Sequence, residues 1–86
     1  MPNASGYEPV LSGKASSSLV GLPRLKQKQV LRLLFQLAEH PGQLGDYGTR
    51  EKDGREIQHL VVGDWHFSFW ADHAVRELRV TEIDEL

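Results

Sequence analysis

The stretch R55-E-I-Q-H-L-V-V-G-D-W-H-F-S-F-W-A-D-H-A-V-R-E-L-R-V-T-E-I83 decides the fold. Apolar and polar residues alternate through it with a period of two, and Gly63-Asp64 and Asp72 to Val75 interrupt it as turns, so it reads as three strands of an antiparallel meander. Upstream, Asp53-Gly54 adds a further turn. The expected strands are 47–52, 55–62, 65–71 and 76–83. Turns 53–54 and 63–64 are read as two-residue loops of types I′ and II′, and 72–75 as a four-residue loop.

These turns set the register. The loop at 63–64 pairs Val62 with Trp65, Leu60 with Phe67 and His59 with Ser68. The loop at 72–75 pairs Phe69 with Leu78, Ser68 with Arg79 and Phe67 with Val80. The loop at 53–54 pairs Lys52 with Arg55, Arg50 with Ile57 and Tyr47 with Leu60, and leaves Glu51 opposite Glu56. Registered separately, the three hairpins agree on one apolar face of Tyr47, Leu60, Val62, Trp65, Phe67, Phe69, Leu78 and Val80, the expected core.

The other face then collects Arg50, Lys52, Arg55, Ile57, His59, Val61, His66, Ser68, Trp70, Glu77, Arg79 and Thr81. Cations on such a surface suit phosphate, and an exposed Trp70 suits stacking on an unpaired base. Any half-exposed sheet has a polar face of this kind, but Ile57, Val61 and Trp70 amid the charge suggest a binding surface.

Upstream of the meander the period is 3.6. Leu25, Val30, Leu33, Leu34, Leu37 and Ala38 form an apolar stripe on a helix from Arg24 to about His40, which Pro41-Gly42 ends. Ser12 is an N-cap for a shorter helix that Gly21 closes, and Pro23 suits the first turn of the next. Residues 7–11 read as a short strand kept at a sheet edge by Pro9. Residues 1–6 read as a disordered tail, leaving one domain over 7–86. The fold class is α+β, with an N-terminal strand, a helical hairpin and then an antiparallel meander packed under the helices.

Composition narrows the function. Eighty-six residues hold one small core, and the absence of cysteine excludes disulfides, thiol catalysis and Cys-based zinc sites. Neither a signal sequence nor a membrane span is legible, so a cytoplasmic protein without membrane contact is expected. The net charge of -2 hides an asymmetry, since residues 1–45 carry five basic and two acidic side chains and residues 46–86 carry five and ten. His59, His66 and His73 recur every seven residues, but His73 lies off the ladder, and no metal or other cofactor is expected. Ser68 lies between His66 and Arg79 with no carboxylate placed to orient a histidine, so a serine nucleophile is not expected.

The segment Y7-EPVLSGKASSSLVGLPRLKQKQVLRLLFQLAEH-P41 resembles the opening of the RelE/ParE toxin superfamily, with its leucine-proline-basic junction at Leu22-Pro23-Arg24 and a helix ending Leu37 to Pro41. Residues 61–83 are similar to that family's glycine-aromatic-basic strand, turn and final strand. The resemblance implies the toxin of a type II toxin–antitoxin pair, with a cognate antitoxin as partner, as a homodimer or a toxin–antitoxin hetero-oligomer. RelE-like members are endoribonucleases that cleave mRNA in the ribosome by attack of the ribose 2′-hydroxyl, whereas ParE-like members inhibit DNA gyrase. Aligned on Gly63, the family's basic residues fall at His66 and near His59. The RelE-like branch is expected, with His66 and His59 as acid and base, Arg79 and Arg50 on phosphate, Lys52 and Arg55 positioning the backbone, and Trp70 stacking on a base. A ParE-like gyrase inhibitor and a non-catalytic module that binds an antitoxin are the alternatives. Catalytic members usually carry a basic residue, and often a Tyr or His, beyond the last strand. This chain ends Glu82-Ile83-Asp84-Glu85-Leu86.

Overall fold

In a computed structural model that describes residues 6–86, the chain forms β1 (Glu8–Leu11), α1 (Gly13–Val20), α2 (Arg24–Ala38), β2 (Tyr47–Arg50), β3 (Glu56–Val62), β4 (Trp65–Asp72) and β5 (Glu77–Glu85). Most of the expected tail, residues 1–5, lies outside the described residues. The five strands form one sheet in the order β1-β5-β4-β3-β2. The meander β2 to β5 is antiparallel throughout, while β1 runs parallel to β5. Pro9, which lacks an N–H, thus stands on an edge strand as expected.

Both helices cover one face of the sheet. Ser12 caps α1 by accepting from the Ala15 N–H at 3.1 Å. Pro23 stands just before the first helical residue of α2, one position earlier than expected. Val30, Leu34, Leu37 and Ala38 of α2 meet Trp65, Phe67, Phe69, Leu78, Val80 and Ile83 of the sheet in a single core, with Ala15 of α1. Leu25, expected in the helical stripe, is instead 81% exposed.

The three hairpins differ from one another. At 63–64 the register is as expected, Val62 opposite Trp65 and His59 opposite Ser68, and Gly63 takes φ +59° as a type II′ turn needs. At β2–β3 the register is off by one from expectation. Glu51 receives a bond from Gly54 and donates its own N–H to Arg55, which makes a three-residue loop with Gly54 at φ +87°. Tyr47 therefore opposes His59, Thr49 opposes Ile57 and Arg50 opposes Glu56. The expected Glu51–Glu56 juxtaposition of like charges is replaced by Arg50 against Glu56. Because side chains alternate, that one step takes Tyr47 out of the core, leaving it 53% exposed, and moves Arg50 to the other face of the sheet from His59.

The third hairpin has its four-residue loop one residue later, at 73–76, with Arg76 at φ +56° and Asp72 opposite Glu77. Arg79 thus faces Trp70 rather than Ser68. Further along, Phe69 opposes Val80 but Ser68 opposes Glu82, which leaves Thr81 as the extra residue of a β-bulge. Thr81 Oγ1 donates to the Ser68 carbonyl at 3.2 Å, and Ser12 Oγ donates to the Thr81 carbonyl at 2.9 Å, which ties the bulge to the start of α1. Beyond the bulge the parity of β5 inverts. Ile83 turns into the core, and Glu82 and Asp84 turn to the uncovered face.

Candidate functional site

The uncovered face carries two clusters. In the first, four polar side chains form a line across β2, β3, β4 and β5. Thr49 Oγ1 lies 2.7 Å from His59 Nε2, His59 Nδ1 lies 3.0 Å from His66 Nε2, and His66 Nδ1 lies 3.0 Å from Asp84 Oδ2. Tyr47 stacks on His59 at 4.6 Å between centroids with the rings nearly parallel at 4°, and the His66 ring lies edge to edge with that of His59, centroids 5.3 Å apart and planes 12° from parallel. A branch runs from His59 Nδ1 to Ser68 Oγ at 3.3 Å and from Ser68 Oγ to Glu82 Oε1 at 3.4 Å. Glu82 in turn meets Lys14 Nζ, from the first turn of α1, at 2.6 Å. That hydrogen-bonded ammonium holds the Glu82 carboxyl below its ordinary range and raises the lysine. Ser68 is 1% exposed, with its hydroxyl satisfied on both sides.

Local backbone packing places His59. The segment before β2 crosses it so closely that a Cβ on Gly45 would stand 2.3 Å from the His59 carbonyl oxygen. Asp46 N–H donates to that same oxygen at 2.7 Å, the Asp46 carboxylate accepts from the Val61 N–H at 2.8 Å, and Gly45 N–H donates to Gln58 Oε1 at 2.8 Å. His59 is thus clamped from the β2 side.

The second cluster surrounds Trp70. The Arg55 guanidinium lies 3.9 Å from the indole centroid and that of Arg79 5.7 Å from it. Both cations are also engaged by acids: Arg55 with Asp53 at 3.5 Å, Arg79 with Glu77 at 2.8 Å and with Asp72 at 3.5 Å. Ile57, expected among the exposed apolar residues here, is only 4% exposed, while Val61 remains 45% exposed. Ser68 lies midway along β4 between His66 and Trp70, which are about 13 Å apart by strand rise.

The structure therefore gathers His59, His66, Arg55, Arg79 and Trp70 on one face but rearranges them. The histidines are in direct contact rather than spaced to flank a phosphate from two sides. Arg50 belongs to the other face by register and donates to the Gly54 carbonyl, and Lys52 sits in the turn. The face is not dominated by cations, since Glu82, Asp84, Asp72 and Glu77 share it. A carboxylate does orient a histidine: Asp84 was missed because the bulge was missed. The signal was in the spacing, since Leu78 and Val80 keep a period of two and Ile83 follows after three. Among the described residues, no group of three or more His, Asp or Glu side chains is arranged to hold a metal ion.

On the helix-covered side, α2 stops short of β3. Leu33, Leu37, Leu60, Val62 and Phe67 line an open groove of about 440 Å³ there, with Gln36, Glu39, His40 and Gln43 at its polar margin. Phe35 on α2 is 56% exposed. No helix among the described residues is long and apolar enough to cross a membrane.

No protein-family model matches the sequence, and no curated protein does. Solved structures do match. The RelBE2 toxin–antitoxin complex of Mycobacterium tuberculosis contains a chain with a TM-score of 0.78 at 16% identity, covering 100% of this chain and 98% of that one. The archaeal RelE–RelB complex of Pyrococcus horikoshii matches at a TM-score of 0.68 and 11% identity, over 93% of this chain and 94% of that one. The isolated RelE toxin of E. coli matches at 0.68 and 10%, over 92% and 83%. With TM-scores of 0.68 to 0.78 over 92% or more of this chain, the fold is that of the RelE toxins.

Proposed function

We propose that this chain is the toxin of a type II toxin–antitoxin pair and that it cleaves ribosome-bound mRNA on the uncovered face of its sheet. The observation that carries this reading is the line Thr49–His59–His66–Asp84, which puts an imidazole able to accept a proton on the same sheet face as two guanidinium groups and an indole. In the reaction, His59 takes the proton of a ribose 2′-hydroxyl, the freed oxygen bonds to phosphorus, and the bond from phosphorus to the 5′-oxygen breaks. That oxygen takes a proton from solvent, and the products are a 2′,3′-cyclic phosphate and a 5′-hydroxyl. Arg55 and Arg79 oppose the charge gathering on the phosphoryl oxygens. Trp70 offers its face to a neighbouring base, which would displace the Arg55 guanidinium from it. The antitoxin is the partner for the groove beside α2, whose apolar floor and polar margin suit an amphipathic segment.

A second reading rests on the acids that already engage Arg55 and Arg79 and on the size of the groove. In it the chain binds protein alone, either an antitoxin or DNA gyrase, and cuts nothing. Translating ribosomes supplied with the purified protein separate the two. New mRNA ends carrying cyclic phosphates are expected, and His59→Gln lowers their rate at least about a hundredfold. Growth arrest in cells without new ends, accompanied by altered DNA supercoiling, would overturn the nuclease.

A further inference from the structure

With both imidazoles neutral, the hydrogen bonds around the two histidines have one consistent direction. The carboxylate of Asp84 can only accept, so His66 Nδ1 carries the proton in the 3.0 Å bond between them. A neutral His66 then presents a lone pair at Nε2, and His59 must donate to it from Nδ1 across the next 3.0 Å. That leaves His59 Nε2 with a lone pair, which accepts from the Thr49 hydroxyl at 2.7 Å. The branch agrees. Ser68 Oγ accepts a share of the same His59 Nδ1 proton and passes its own to Glu82, whose charge Lys14 balances. Two carboxylates, both delivered to this face by the bulge in β5, thus orient every proton in the cluster.

We propose that Asp84 and His66 are positioning residues that hold His59 in its Nδ1–H tautomer, which makes Nε2 of His59 the single proton-accepting atom of the site, with the Thr49 hydroxyl marking where a substrate hydroxyl binds. This rests on the nuclease reading for its chemistry but not for its geometry. The free imidazole prefers the opposite tautomer in water, so the preference must be imposed. The carboxylate imposes it through one intervening ring. Once His59 takes the proton, its Nδ1–H already points at His66 Nε2 and Ser68 Oγ, and the new positive charge faces Asp84 through His66 and Glu82 through Ser68. The hydroxyl that loses its proton approaches from the Thr49 side, because the Nε2 lone pair lies in the ring plane toward Thr49, while Tyr47 covers one ring face and His66 occupies the Nδ1 edge. His66 itself has no nitrogen left for substrate. This assigns the two histidines unequal work, where the sequence alone suggested an acid and a base.

Long-range proton–nitrogen NMR spectra of histidine-labelled protein at alkaline pH read the tautomers without any substrate. Both His59 and His66 are expected to carry their proton on Nδ1. In Asp84→Asn the amide can donate as well as accept, and both rings are expected to revert toward the Nε2–H form. The mRNA-cleavage kcat then falls on the order of a hundredfold with little change in KM, whereas Asp84→Glu keeps the tautomer and most of the rate. Finding His59 protonated on Nε2 in the wild-type chain would overturn the proposal, and so would an Asp84→Asn variant with unchanged tautomers and unchanged kcat. If the tautomers stand as expected and wild-type protein yields no RNA ends, the positioning by Asp84 holds and it is the nuclease reading that fails.

Discussion

The two faces of β4 hold opposite kinds of order. Trp65, Phe67 and Phe69 point under the helices and are at most 3% exposed, while His66 and Trp70 on the alternate positions face outward, with Ser68 buried between them beneath other polar groups. The inward face is held by area removed from water, which is non-directional and tolerates small shifts of register in steps of two. The outward face is held by hydrogen bonds of 2.7 to 3.0 Å, which a shift of one residue destroys. One strand thus serves stability on one side and geometry on the other. Substitutions on the two sides should separate into those that unfold the chain and those that leave it folded with its proton line cut.

Phe67→Ala tests the inward side and has the largest expected effect. The ring is 1% exposed at the centre of the core and also floors the groove beside α2. Its removal should cost about 3–5 kcal/mol, a large part of the total for a domain of this size, and urea unfolding should show it as a lowered midpoint. If stability were nearly unchanged, the assignment of this face as the core would fail. Gly45→Ala comes next and strikes where the two kinds of order meet. The new methyl would stand 2.3 Å from a backbone oxygen that cannot swing aside, so β2 must move away from His59. The expected loss is about 2–3 kcal/mol in the same measurement, with the Tyr47–His59 stack broken. An unchanged His59 ring environment in NMR spectra would show that Gly45 does not clamp it.

The same contrast explains what was legible in the sequence. Periodicity reports burial, so the helices, the meander and seven of the eight expected core-face residues, all but Tyr47, are found on the helix-covered side. Gly63 demands a two-residue turn and sets β3 against β4 correctly. The other two turns allow more than one loop: Asp53-Gly54 closes a three-residue loop as readily as a two-residue one, and nothing in 72–76 selects where a four-residue loop begins. Displacing the last hairpin by two residues at its turn preserved the faces and left the core reading intact, whereas displacing the first by one exchanged Tyr47 with Arg50. The bulge at Thr81 was decisive for the site, because it alone turns Glu82 and Asp84 toward the histidines. The spacing of Leu78, Val80 and Ile83 carries its trace, but contacts with Ser12 and Lys14, some seventy residues away in the chain, hold it in place.

The smallest effect bears on that long-range tie. Lys14 holds the Glu82 carboxyl below its ordinary value of 4.5, so the folded state binds this proton less readily than the unfolded chain does. A carboxyl lowered by folding contributes stability that is fully present above its unfolded value and is lost as pH falls through the folded one. The contribution should therefore be intact at neutral pH and disappear progressively below about pH 4.5. Both partners are partly open to solvent, with 69% of the Lys14 side chain and 34% of that of Glu82 exposed, so water screens the pair and its contribution is small. Glu82→Gln should accordingly lower the melting temperature slightly at pH 7, and the difference from the wild type should shrink as the pH falls below about 4.5. Equal curves for the two proteins across that range would mean that the bulge stands without its lysine tie, held by Ser12 alone.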